Sequence, residues 1–200
     1  MGATMRPSHP QVRRHILDSG RALITHRGFV AVGLNEILKT ADVPKGSFYH
    51  YFGSKEQYGR ELLEQYVADY AERLDQLFNG SEANARDKLL LYWSEWQREQ
   101  LEADGPDKCL VVKLSAEVAD LSDDMRIVLR DGVARLIARI AALIEEGGRD
   151  GSLSPALDAR ELAQTLYQLW LGAALVTKLR RDGSALAHAM SVTQTMLRSA

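Results

Sequence analysis

The sequence predicts an all-α fold of about nine helices, with three helices forming a small N-terminal domain and longer helices forming a body behind it. Three observations predict this. Apolar residues recur at three- and four-residue spacing over long stretches, and no stretch alternates as a half-buried strand does. Glycine, proline and asparagine clusters interrupt those stretches at intervals of helical length. At 46% hydrophobic and 26% charged over 200 residues, the chain can bury a sizeable core without covalent staples.

Each element follows from local signals. Ile16, Leu17, Leu23 and Ile24 mark a helix over 10–26, with Pro10 suited to its first turn and Gly28 as its stop. Leu34, Ile37 and Leu38 give one face to a short helix over 34–40. Ala41-Asp42-Val43 turns the chain, and Pro44 opens a second short helix that ends near Tyr51. Ser54 and Gln57, three apart, form a capping box that starts a long helix to about Phe78, which Asn79-Gly80 ends. The next helix, over 82–102, carries Leu89, Leu90, Trp93 and Trp96. A loop at 103–106 leads to helices over 108–119, 122–146, 158–181 and 184–198. Asp158 with Glu161 is an N-terminal capping pair, and Gly147-Gly148, the 151–155 loop and Gly183 separate the last three helices. The organisation expected is a tail over 1–9, a helix-turn-helix domain over 10–56 and a helical domain over 57–200.

Composition excludes several classes. A lone cysteine, Cys109, cannot form a disulfide within the chain and suits a reducing compartment, the cytoplasm. The N-terminus lacks the apolar core of a secretory signal. The longest uncharged run, 162–177, is too short to span a membrane and contains Gln164, Thr165 and Gln168. The five histidines, His9, His15, His26, His50 and His188, lack ligand spacing, so no metal and no cofactor are expected.

The net charge of −2 is unevenly spread. Residues 1–56 hold eight lysines and arginines against four acids, a net +4, which leaves −6 on the rest. A basic head on an acidic body suits a polyanion partner. Two short helices joined by a tight turn after one longer helix are the pattern of a major-groove reader. In the second short helix Phe48 and Phe52 are four apart and can anchor one face. That leaves Lys45, Ser47, Tyr49 and His50 for the other side. Gly46 removes bulk near the helix start, and Lys55 at the next helix start is placed to reach phosphate.

Residues 10–56 resemble the DNA-binding domain of the TetR family of transcriptional regulators, most clearly through Gly33–Gln57, GLNEILKTADVPKGSFYHYFGSKEQ. The resemblance implies that Lys45, Gly46, Ser47, Tyr49, His50 and Lys55 face DNA. It also implies a homodimer, paired through the last two helices, on a palindromic double-stranded operator. Small residues among large ones in those helices, such as Gly172, Ala173, Ala174, Ala185, Ala187 and Ala189, allow close packing.

A regulator also needs a sensor. Cys109, expected in a helix first turn beside Lys108 and four residues before Lys113, has three features that favour a thiolate. A small buried hydrophobe is the other reading of a lone cysteine. The stretches KCLVVKLSAEVADLSDDMR, from Lys108, and LWLGAALVTK, from Leu169, resemble the NemR-like branch of the same family, repressors that sense electrophiles and oxidised chlorine species. That resemblance puts the redox switch on Cys109. The motif holds no second thiol, position 119 being alanine, so a sulfenic acid would be capped by a small thiol, pair across subunits or condense with a nitrogen such as Lys113 or Lys178. Lys178 either reaches inward or begins the cationic end of its helix. Trp93 with Trp96, and Tyr167 with Trp170, either line a ligand pocket or form core and interface.

A thiol enzyme is not expected, since no histidine lies between His50 and His188 and no glycine-rich phosphate loop follows a strand. The function expected is a repressor that leaves its operator when an electrophile or oxidant modifies Cys109. The alternative is a repressor induced by a reversible small molecule in the C-terminal domain, with Cys109 structural.

Overall fold

The computed structural model describes residues 9–80, 82–102 and 109–198. The loop expected at 103–106, and Lys108, lie outside the described residues. Among those described the structure has nine α-helices and no strand: α1 His9–Arg27, α2 Leu34–Thr40, α3 Lys45–Tyr51, α4 Lys55–Asn79, α5 Ala85–Leu101, α6 Leu110–Leu121, α7 Asp123–Asp150, α8 Ala159–Arg180 and α9 Ser184–Met196.

The caps explain the boundaries. Ser54 Oγ accepts from the Gln57 amide at 3.0 Å, as a capping box requires. The Gln57 side chain, however, takes the Gly53 amide at 3.1 Å and passes its own N–H to Glu61 at 3.0 Å. Helix α5 begins three residues later than expected because its first amides have partners in place. Asn84 accepts from Asp87, Asp150 from Ala85 and Ser152 from Arg86, at 2.9, 2.9 and 3.2 Å. Asp158 caps α8 through the Glu161 amide at 2.9 Å.

Gly147-Gly148 do not end α7, which runs on to Asp150. The stop is Gly151, whose φ of +80° is the left-handed conformation of a helix terminus. Gly147 serves packing instead: a Cβ there would lie 2.6 Å from the Leu153 side chain, which folds back over the helix.

The chain divides into two compact units, Met1–Val67 with Lys113–Leu129, and Ala68–Val112 with Arg130–Ala200. In the first, α1 packs on α2 and α2 on α3. Ile16, Leu17, Ile24, Phe29, Ile37, Phe48, Phe52 and Tyr58 are buried there. The second is built on a continuous apolar cluster that includes Leu89, Trp93, Ile140, Ile144, Leu166, Trp170 and Leu186.

Gly20, mid-α1, is a close-approach glycine. A Cβ there would fall on the Tyr58 hydroxyl, which donates to the Ile16 carbonyl at 3.2 Å. Alanine gains about 1 kcal/mol of helix propensity at such a site, whereas forcing volume into a packed core costs about 1–3 kcal/mol. Gly20→Ala is therefore expected to lower the urea midpoint, and Tyr58→Phe in the same chain to recover part of the loss. A Gly20→Ala protein more stable than wild type would mean that Tyr58 moves aside freely.

Candidate functional site

Helix α3 separates two faces. Phe48 and Phe52 are fully buried, their rings 5.1 Å apart, and each lies within 5.4 Å of the Tyr58 ring. The other side carries exposed Lys45, Gly46, Tyr49 and His50, with Ser47 half-buried. Tyr49 is 52% exposed, unusual for an aromatic ring that the fold does not use. Lys45 Nζ stands 6.0 Å from its ring centre, and His50 Nε2 lies 3.0 Å from His9 Nε2. A Cβ at Gly46 would meet nothing within 4 Å, so no packing within the chain demands glycine there.

Lys55 departs from the expectation. Its ammonium turns inward, donates to the Phe29 carbonyl at 2.8 Å and sits 4.6 Å over the Phe29 ring. Burial lowers its pKa, opposed by the nearby Glu117 carboxylate. It is thus held by the α1–α2 turn and is not presented with the exposed groups of α3.

Cys109 immediately precedes α6 and is buried, 8% exposed, within the apolar cluster of the second unit. Three tyrosines gather with it. Tyr70 and Tyr92 hydroxyls lie 2.9 Å apart. Burial, and next the proximity of Cys109, push the Tyr70 and Tyr167 hydroxyls above their ordinary pKa. Tyr92 is raised by burial first, then by Tyr70, with Cys109 a smaller contribution. The Tyr167 hydroxyl is buried without a hydrogen-bond partner. Nothing in the sequence pattern marked Tyr70 or Tyr92, since single tyrosines on two amphipathic helices read as core.

Beside this cluster lies a cavity of about 250 Å³, with Tyr70, Tyr92, Trp96, Arg73 and Glu99 in its wall. Arg73 pairs with Glu99 at 3.2 Å. Of the three tryptophans only Trp96 lines it. Trp93 and Trp170 stack on each other, centroids 4.9 Å apart and planes 8° from parallel, and are almost wholly buried. They are core rather than pocket wall, because each ring completes the other's packing.

The two candidate lysines are placed differently. Lys113 donates to the His26 carbonyl at 2.9 Å. Lys178 is exposed in the last turn of α8, where a cation suits the helix end. Among the described residues no group of three or more His, Cys, Asp or Glu is placed to hold a metal, and no helix is long and apolar enough to cross a membrane.

Comparison with known proteins agrees with this layout. Residues 16–58 match the family model of bacterial regulatory proteins, tetR family, and residues 85–193 that of the tetracyclin repressor-like C-terminal domain. The chain is 43% identical to the HTH-type transcriptional repressor NemR of Escherichia coli over 92% of its own length and 94% of the relative's. It is 35% identical to the transcriptional regulator AcuR of Cereibacter sphaeroides, over 86% and 79%. The crystal structure of reduced E. coli NemR superposes with a TM-score of 0.89 at 41% identity, covering 94% of this chain and 98% of that one. These relatives are regulators of transcription, not enzymes. The chain belongs to the TetR family and is a DNA-binding transcriptional regulator.

Proposed function

We propose that the protein is a homodimeric repressor that holds a palindromic operator through α3 and releases it when Cys109 is modified by an electrophile or oxidant. Lys45, Gly46, Ser47, Tyr49 and His50 form the face laid in the major groove, with tyrosine, serine and lysine supplying phosphate or base contacts. Lys55 acts behind that face by fixing the turn before α2.

A second copy is the occupant that suits the outer side of α8. Thr165, Gln168, Gly172, Leu175 and Leu179 recur there at three- and four-residue spacing, all exposed, with Leu179 at 84%. Ser184, Ala187 and Ser191 continue a small-residue exposed face on α9. A two-fold pair built on these helices presents two readers to two half-sites.

The observation that carries the sensor reading is the burial of Cys109 in a packed core beside a cavity. Cys109 packs within the apolar cluster and is not in the cavity wall, so an adduct on its sulfur adds volume that the cluster must shift to accept. Overpacking of this kind costs about 1–3 kcal/mol, enough to shift a two-state protein by about 5- to 150-fold. Attack by the thiolate on N-ethylmaleimide forms one C–S bond as the carbon–carbon π bond breaks, and the adjacent carbon takes up a proton from solvent, equal to the one the thiol released on ionising. A reversible ligand in the cavity at Tyr70, Tyr92 and Trp96 is the second reading.

The test is operator binding by fluorescence anisotropy at fixed salt, since phosphate contacts make affinity salt-dependent. Wild type and Cys109→Ser are compared with and without N-ethylmaleimide. Wild type is expected to lose about tenfold or more in affinity, an ordinary allosteric coupling, and Cys109→Ser to lose none. Release of both proteins, or of neither, makes Cys109 structural and moves the search to the cavity.

A further inference from the structure

The turn between α1 and α2 is gripped by side chains that belong neither to the exposed face of α3 nor to the cysteine site. Gly28 has φ +91°, and a Cβ there would lie 2.8 Å from Glu117 Oε2. The next two amides, of Phe29 and Val30, both donate to the Glu117 carboxylate, Phe29 at 3.1 Å. Lys113, one turn earlier on α6, holds the His26 carbonyl, and Lys55 holds the Phe29 carbonyl. The Phe29 ring occupies the space left by Gly59. Three charged side chains thus satisfy four backbone groups of one turn, which local turn hydrogen bonds or water would ordinarily satisfy. Val30 is 63% exposed, so burial does not hold this end of the turn.

We propose that Glu117 is the positioning residue through which α6 sets the pose of the α2–α3 reader. Glu117 and Lys113 are four apart and share one helix face. Helix α6 begins at the residue after Cys109, and α2 begins four residues after Val30. When α6 shifts along or about its axis, the turn either follows it or loses both bonds to one carboxylate. The positioning role stands on this geometry alone; only its use in operator release rests on the function proposed above.

The charge of Glu117 separates this role from a direct electrostatic one. A carboxylate repels phosphate, so removing its charge would by itself tighten binding to any DNA. The positioning role gives the opposite sign for the operator alone. The experiment uses the full-length protein, a duplex selected by wild type from a random library, and an unselected duplex of equal length, at one salt concentration. Glu117→Gln keeps one acceptor and loses the other. It is expected to bind the selected duplex about tenfold more weakly, the size of an ordinary coupling, with no loss on the unselected one. Hydrogen exchange in wild type is expected to show protected Phe29 and Val30 amides, and Glu117→Gln to release them. After N-ethylmaleimide, the variant's affinity for the selected duplex should fall by a smaller factor than that of wild type.

A folded Glu117→Gln that binds the selected duplex as wild type does, or one that loses equally on both duplexes, overturns the proposal. So do unprotected Phe29 and Val30 amides in wild type, a measurement that needs no variant. If wild type is not released by N-ethylmaleimide while Glu117→Gln still loses operator affinity, the sensor reading fails and the positioning role stands. If wild type is released while Glu117→Gln keeps its operator affinity, the positioning role fails and the sensor reading stands.

Discussion

Phe48→Ala is expected to lower the melting temperature by roughly 10 °C and to abolish operator binding. The ring is wholly buried between Phe52 and Tyr58. Truncating such a ring costs about 3–5 kcal/mol through lost transfer energy and the cavity left behind, and each kcal/mol moves a domain of this size by about 2–4 °C. The effect on DNA should exceed the effect on heat stability. Helix α3 has seven residues, too few to be helical without its packing. Loss of Phe48 therefore removes the framework that presents Lys45, Tyr49 and His50. Circular dichroism melts beside anisotropy check this. The contrast is Tyr49→Ala on the exposed side, expected to leave the melt unchanged and weaken the operator complex. A Phe48→Ala protein that melts and binds as wild type does would show that Phe52 alone anchors the helix.

Trp170→Ala is expected to cost about 3–5 kcal/mol in urea unfolding, the largest loss from any single truncation in the second unit. Trp170 stacks on Trp93, meets the edge of Trp96 at 5.6 Å and donates from Nε1 to Thr193 Oγ1 at 2.9 Å. Thr193 donates its own hydroxyl proton to the Ala189 carbonyl at 2.8 Å, so this one side chain ties α8 to α9. Trp170→Phe should recover part of the loss, because it keeps an aromatic face against Trp93 but gives up the hydrogen bond, worth about 1 kcal/mol, and part of the buried ring volume. Were Trp170→Ala as stable as wild type but altered in its response to inducers, the ring would be a ligand contact and not core.

The sequence carried the helices well and the site unevenly, for reasons that differ residue by residue. The two faces of α3 were legible because Phe48 and Phe52 are one helical turn apart, a local fact. The end of α7 was not, because Gly147 has a packing role with Leu153 that no nearby residue announces. The stacking of Trp93 on Trp170 joins residues far apart in the chain, and amphipathic spacing marks both only as apolar. Lys55 and Lys113 were legible as cations, yet their partners are backbone carbonyls of a distant turn, which have no signature in side-chain chemistry. Glu117 was missed for the same reason: it is one of two acids on α6, and only the fold brings two amides to it.

The course of the chain through its two units has a consequence for how such regulators diversify. Each unit is assembled from two separated stretches, the first taking back Lys113–Leu129 after the chain has left it at Val67. A recombination event that joined 9–67 to a foreign sensor would leave Glu117, Lys113 and Met125 behind, and with them the partners of Gly28, His26 and Gly59. The recognition head is therefore not a detachable cassette. New specificities for inducers are expected to arise by substitution within an intact chain, or by exchanges that carry the 113–129 segment along with the head.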